Sequence, residues 1–309
     1  MAIENFVPEL WAAEVQVPFE RALVFGQPTV VNRKYEGELK QKGDTVNITS
    51  VSDPTVKAYD KNSDIEIEDL DDENLKLLID QGDYFAFRVN DVDRVQAAGN
   101  FQSPATQRAG WKLKDKVDRY IAGLYNLSAT NGGPQTANRL GNVSVINGTG
   151  TGRPSESQTT AYNVLVDLAN RLNKADAPTD GRYVIIDPDF LSALQNDPRF
   201  SRVDASGSSE TLRNGIVGRA SGFDILLSNN IVKTGNRSLV CAGIPEALSF
   251  ANQLTEMEAL RSQNRFADIV RGLNIYGAKI LYPDGLATAS CEFVAGAGVD
   301  TVVVNSPTP

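Results

Sequence analysis

Three glycines, Gly148, Gly150 and Gly152, follow the apolar start of VSVINGTGTGRPSE. A glycine-rich turn after a strand is the arrangement that cradles a phosphate. Dinucleotide binding needs G-x-G-x-x-G opening a helix directly, with an acid at a strand end ~20 residues on. Here the spacing is G-x-G-x-G, Arg153-Pro154 delays any helix, and the acids at that distance, Asp167 and Asp176, fall in a helical segment. The stretch reads as a flexible loop. A second glycine-bearing stretch, FADIVRGLNIYGAKILYPDGL, carries Gly272, Gly277 and Gly285. No helix start follows them, so they do not cradle a phosphate either. Glycine inside an apolar strand marks a bulge or a close backbone approach. Gly277 is expected to pack closely beside the long helix described below, or beside a neighbouring subunit.

The other chemistries are thinly supplied. The chain has no histidine, which removes Ser-His-Asp triads, Cys-His pairs and His-type zinc sites. Its two cysteines, Cys241 and Cys291, form neither a disulfide framework nor a zinc site and read as reduced, buried apolar groups. Carboxylates are plentiful but concentrated: between Asp53 and Asp83 stand eleven acids against three lysines, a net −8 of the chain's −9. Nothing singles out an acid–base pair, and the run from Asp64 lacks the central Gly and final Glu of a calcium loop. The chain is expected not to be an enzyme, with no cofactor and no metal site. The acidity also argues against a general nucleic-acid surface.

Acids held in such a run need elements to carry them. GDTVNITSV, SDIEIEDL and DYFAFRVNDVD alternate apolar and polar residues and read as strands, so the acids sit in and between strands of a long hairpin-like excursion. The period then changes. Leu113, Val117, Tyr120, Ile121, Leu124 and Leu127 share one helical face, behind an expected cap at Ser103-Pro104. This helix should run about 25 residues. Lys114–Asp118 and Asp115–Arg119 are expected as ion pairs on its wet side, which is net basic. Before the excursion, NFVPELWAAEVQVPFERALVFGQPTV has a proline every ten residues and reads as an arm. Its Trp11, Phe19 and Phe25 are expected to lie on another surface, that of another subunit included. After the helix come a glycine-rich connection, an amphipathic helix through Leu165, Leu168 and Leu172, the buried strand RYVIIDP and a helix begun by Asp187-Pro188. SGSSETLRNGIVG reads as a surface loop, and FDILLSNNI and RSLVCAG as strands. No apolar run is long enough to span a membrane.

This order of elements resembles the major capsid proteins of tailed bacteriophages, with their HK-type capsid fold. The resemblance rests on FVPELWAAEVQVPFERALVFGQPTV as the arm, GDTVNI and LLIDQGDYFAFRVNDVD as the two sides of the loop, RYVIIDPDFLSALQNDPRF as a strand–helix, and EALSFANQLTEMEALRSQNRFADIVRGLNIYGAKILYPDGLA as paired strands. It implies an α+β fold divided into an N-terminal arm (1–34), an extended loop (35–90), the long spine helix of a peripheral domain (91–135), an α/β axial domain (136–246), and peripheral strands with the C-terminus (247–309). It further implies hexamers and pentamers that close an icosahedral head around double-stranded DNA, without sequence-specific contacts. Expected partners are other copies of the chain, a separate scaffolding protein, a portal and a decoration protein, with assembly in the host bacterial cytoplasm. The Lys–Asn cross-link of some relatives is not assigned to residues here. The charge asymmetry leads to a specific expectation: Asp69, Asp71, Asp72 and Glu73 of one subunit meet Lys112, Lys116 and Arg119 of a neighbour. The alternatives are an encapsulin-like compartment shell and a nucleotide-binding α/β enzyme using the glycines at 148–152.

Overall fold

The computed structural model describes residues 24–35, 45–51, 56, 72–90, 102–147, 158–197, 216–261 and 267–295. Trp11 and Phe19 of the arm, the SDIEIEDL stretch and the glycines at 148–152 lie outside them.

Two sheets share one helix. The larger sheet is built on β6 (Tyr183–Ile186), whose four residues are all buried. Tyr183 and Ile185 point into one core, Val184 and Ile186 into another, so both faces of the strand are covered. The sheet order is β5 (Gln158–Thr159), β4 (Arg139–Asn147), β13 (Leu286–Ala295), β10 (Arg237–Gly243), β6, β8 (Phe223–Leu227) and β7 (Ile216–Ala220), with β9 (Lys233–Thr234) paired to β10. β7 thus includes the end of the stretch expected to be a surface loop. On one face lie α2 (Ala161–Lys174) and α3 (Pro188–Gln195). Their starts follow from local chemistry: the Thr160 hydroxyl accepts from Asn163 N–H at 3.4 Å, and the Asp187 carboxylate accepts from Phe190 N–H at 3.0 Å, with Pro188 at the first helical position.

The smaller sheet has the order β11 (Leu248–Arg261), β12 (Ala267–Ile280), β3 (Gln81–Asn90), all antiparallel. The expected division at 246/247 groups the last strand with this sheet. Instead β13 pairs antiparallel with β10 and parallel with β4, deep in the larger sheet. The turn Pro283–Gly285 carries the chain from one sheet to the other.

The long helix, α1, spans Gln102–Asn126, 25 residues, so Ser103 and Pro104 lie in its first turn rather than before it. Leu113, Val117, Ile121, Ala122 and Tyr125 are buried. Leu127 falls past the helix end and is exposed; Tyr125 takes the core position. Residues 24–35 of the arm lie on this helix and on β11: Phe25 packs against Tyr125 with ring centroids 6.1 Å apart, and Asn32 exchanges backbone hydrogen bonds with Leu248 and Phe250. Phe25 therefore joins the core of its own subunit, not that of another.

Asp118 is not on the wet side. It is 1% exposed, and its Oδ2 accepts the Val24 N–H at 3.4 Å. Burial pushes its carboxyl up to about 6, against the lowering effects of the Val24 hydrogen bond, Lys114 and Asn230. The expected Asp115–Arg119 pair is present at 3.0 Å.

The base of the excursion is an antiparallel pair, β1 (Thr45–Val51) and β2 (Asp72–Leu78), that forms a two-stranded sheet of its own. Leu77 and Ile79 anchor it against Ala251 and Ile275. Here Gly277 finds its reason. A Cβ at this position would overlap the Leu78 carbonyl oxygen and stand 3.0 Å from Ile79 Cα. The close approach is real, but the neighbour is the backbone joining β2 to β3, not the long helix.

Two outcomes follow. Gly277→Ala should lower stability by roughly 1–3 kcal/mol, because backbone rather than a flexible side chain must give way. Chemical denaturation measures this, and a variant as stable as the parent removes the close-approach argument. For Asp118, the folded chain keeps its proton to about pH 6, whereas a free carboxyl of this type loses it near 3.8. Between those values the folded state binds more protons, so this group's contribution falls as pH rises and is flat above the window. Asp118→Asn should therefore gain about 3 kcal/mol on the parent from the bottom of that window to the top. Urea unfolding across the range checks it; a difference that does not change with pH contradicts it.

Candidate assembly interface

The acidic partners expected at the interface are sparsely placed. Asp69 and Asp71 lie outside the described residues. For Asp72 and Glu73 the backbone is described: it begins β2, opposite Val51 and Ser50, at the end of the hairpin away from its Leu77–Ile79 anchor.

The basic partners are on α1, and the structure separates them. Lys112 is exposed. Arg119 is bound to Asp115 one turn earlier. Lys116 donates to Asp83 Oδ1 of the same subunit, at the start of β3. Asp83 faces the helix because β3 alternates: Asp83, Phe85 and Phe87 turn inward, while Tyr84, Ala86 and Arg88 are exposed. Its second oxygen accepts from Tyr276 OH at 2.7 Å. Tyr276 meets Tyr120 edge-on, ring centroids 5.4 Å apart. Burial, then the Asp83 carboxylate, pushes the Tyr276 hydroxyl well above its ordinary range; burial, then Asp80, raises Tyr120. The residues Asp83, Lys116, Tyr120 and Tyr276 thus clamp the return strand of the loop to the helix. Sequence reasoning grouped Asp83 with the acidic run. Its two-residue spacing from Phe85 was the signal that it belongs to the inner face.

Beside it, Gly272 lies opposite Phe85 in the ladder, and a Cβ there would meet the Phe85 ring at 2.5 Å. The missing side chain leaves room for the Phe85 ring against β12.

Chemical readings find little to work with. A concavity of 780 Å³ lies over β10 and β13, lined by Arg139, Asn142, Arg237 and Glu292 among others. Its charges are used locally: Arg237 binds Glu292 at 3.0 Å, and Arg139 donates to the carbonyls of Leu127 and Pro134. Cys241 and Cys291 are free and buried in different cores, and burial raises both thiols well above their usual range. Among the described residues no three His, Cys, Asp or Glu side chains gather as a metal site, and no helix is long and apolar enough to cross a membrane. The nucleotide reading also fails on topology. The first described helix after β4, α2, begins at Ala161 and is preceded by β5, whereas the motif needs its glycines at the start of the helix that follows the strand.

Comparison with known proteins agrees with the element order. The family model described as phage capsid protein matches residues 76–289, from the end of β2 into β13. A chain from Mycobacterium phage Che8 is 31% identical, with 93% of this chain and 98% of that one covered and a TM-score of 0.63. The capsid of the cyanophage P-SCSP1u superposes with a TM-score of 0.63 at 16% identity, over 89% of each chain. A virus-like particle from Pyrococcus furiosus superposes with a TM-score of 0.52 at 13% identity, over 93% of this chain and all of that one. The last two share the fold alone. No curated protein matches the chain. The two sheets, the shared long helix and the hairpin are thus a known shell architecture, and the chain belongs to the phage capsid protein family as a major capsid protein of a tailed-phage head.

Proposed function

We propose that the subunit assembles into hexamers and pentamers that close an icosahedral head around double-stranded DNA, in the host bacterial cytoplasm. The observation that carries this reading is the two-stranded sheet β1–β2. A lone hairpin is marginal in water. Among its described residues this one is anchored to its own subunit at its base, and Val56, beyond β1, is 93% exposed. Such an element gains its cover from a neighbour. Its net charge gives it a direction: the acidic run meets the basic side of a neighbouring α1. Lys112 leads that contact, since Lys116 and Arg119 already hold acids of their own subunit. Asp69, Asp71, Asp72 and Glu73 supply the opposite charges. Exposed pairs of this kind are worth ~0–1 kcal/mol each, so they set register and rate more than strength.

The arm, loop, spine helix and axial unit keep the roles expected of them, with β13 transferred to the axial sheet. A separate scaffolding protein, a portal and a decoration protein are the further partners. An encapsulin-like compartment is disfavoured: the family match and the Che8 chain are phage proteins, and the Pyrococcus particle shares only the fold.

Negative-stain microscopy of the purified protein should show closed shells or rings of five and six; a monodisperse monomer under all salt conditions rejects the reading. Two charge reversals separate the roles of the lysines. Lys112→Glu should leave subunit stability within ~0.5 kcal/mol of the parent and slow assembly at low salt. Lys116→Glu should lower subunit stability as well, because Asp83 then faces a like charge. Light scattering and thermal melts measure the two effects. Parental assembly kinetics of Lys112→Glu, unaffected by salt, would exclude the docking described.

A further inference from the structure

Two buried polar groups face a concavity of 370 Å³ between the start of α3 and the β9–β10 hairpin. Asp187 is 0% exposed; its Oδ1 caps α3 on the Phe190 N–H, and its Oδ2 has no hydrogen bond among the described residues. Ser238 is 3% exposed, and its hydroxyl also lacks a hydrogen-bond partner there. Ser238 reaches the concavity because β10 alternates: with Val240 and Ala242 it turns to the face that carries α2 and α3. Asp189, in the first turn of α3, stands at the rim. Lys233 Nζ lies 3.6 Å from Asp187 Oδ2 and 3.8 Å from Asp189 Oδ2. These are ion-pair separations, longer than the ~2.7–2.9 Å of a charged N–H···O bond. The ammonium therefore marks a point on which two carboxylates converge, yet it leaves Asp187 Oδ2 without a donor. Buried polar groups left in this way are costly, so each calls for a partner.

We propose that this concavity binds a hydrated divalent cation of the magnesium or calcium type. Asp187 Oδ2 and the Asp189 carboxylate hold the ion, the Ser238 hydroxyl holds one of its waters, and Lys233 swings out to solvent. The donors are all oxygen, the choice of these hard ions. Magnesium keeps several waters and needs only one or two carboxylates, so neither histidine nor a third acid is required. The concavity has room for an ion with its water shell, at ~30 Å³ per water. The charges fit as well. Two carboxylates against one ammonium leave an excess of one negative charge, and withdrawal of Lys233 leaves two, which a divalent ion balances. Lys233 is free to leave, because its side chain is half-exposed on a flexible four-carbon stem. The bound ion ties the start of α3 to the β9–β10 hairpin. The site lies within one subunit and does not depend on shell formation.

Calorimetric titration of unassembled, full-length subunits with magnesium chloride and with calcium chloride, at constant ionic strength, tests the site. The parent should bind with a dissociation constant of about 10⁻⁴–10⁻³ M, the range of weak oxygen sites. Lys233→Met removes the competing ammonium and should tighten binding about ten-fold or more. Asp187→Asn keeps the helix cap, since Asn caps as well as Asp, but removes the charge and should abolish binding here. Asp189→Asn changes a side chain that is 67% exposed, so it spares the fold and should weaken binding several-fold even if the Asp187 variant does not fold. No binding by Lys233→Met up to ~10 mM of either ion overturns the proposal. So does an affinity that Lys233→Met leaves unchanged, because the ammonium then does not hold the ion's place. Binding that ignores both Asp187→Asn and Asp189→Asn overturns it too, by assigning the ions to other acids such as the run between Asp53 and Asp83.

Discussion

The hydroxyls of Tyr125 and Tyr183 meet at 2.6 Å, both rings buried, in the core shared by the arm, the long helix and the two main sheets. Tyr125 comes from α1 and Tyr183 from β6. Around them pack Phe25, Val30 and Val31 of the arm, Ile185, Leu226 and Cys241 of the larger sheet, and Leu248, Phe250, Tyr276 and Ile280 of the smaller one. Apolar contact alone tolerates sliding. A buried hydroxyl pair does not, because each group left without its partner costs ~1–3 kcal/mol of desolvation. The pair therefore fixes where the C-terminal half of α1 sits over the larger sheet. The Asp83–Tyr276–Lys116 clamp fixes its middle over the smaller sheet. The helix acts as a beam pinned at two points, and the two sheets keep their relation through it.

That arrangement explains the division of labour among the glycines. On β12, Gly272 makes room for Phe85 on the helix side, and Gly277 makes room for the backbone of the β2–β3 corner. Each removes a side chain where a third layer must come close. The hairpin is thereby fastened to the body by shape at its root. A rigid root suits the contact with a neighbour proposed for this element.

Much of this was legible from residue order. The α1 face, the helix start at Asp187-Pro188, the buried β6 and the alternation of β3 follow from periods and local hydrogen bonding, which sequence encodes directly. What was not legible depends on contacts distant in the chain. Asp118 has the spacing of a surface ion pair with Lys114, and only the return of Val24 to the helix buries it. β13 follows β12 closely, as a hairpin partner would, yet its edge is taken by β10 and β4. Gly277 announced a close approach, expected from the long helix or a neighbouring subunit, and only the fold brings the Leu78–Ile79 backbone to it. Lys112, Lys116 and Arg119 look equivalent in a helical projection, and only the fold shows that two of them already have partners.

The partial neutralisation of that basic face has a consequence for assembly. A shell of many identical subunits closes correctly only if misplaced subunits can leave, which requires weak individual contacts. If all three cations faced a neighbour's acids, the contact would gain Coulomb energy from each, and wrong registers would gain nearly as much as the right one. Exposed pairs are worth ~0–1 kcal/mol apiece and depend little on exact geometry. Satisfying Lys116 and Arg119 within the subunit leaves fewer cations to attract a neighbour at random. In the proposed docking, discrimination then falls to the apolar residues of the hairpin's strands, whose packing rewards one register. On that proposal, the charge that remains, at Lys112 and along the acidic run, draws subunits together over about a Debye length, ~8 Å at physiological ionic strength. The proposed docking thus assigns attraction at a distance and selection on contact to different groups, and the cis pairs Lys116–Asp83 and Arg119–Asp115 keep them apart.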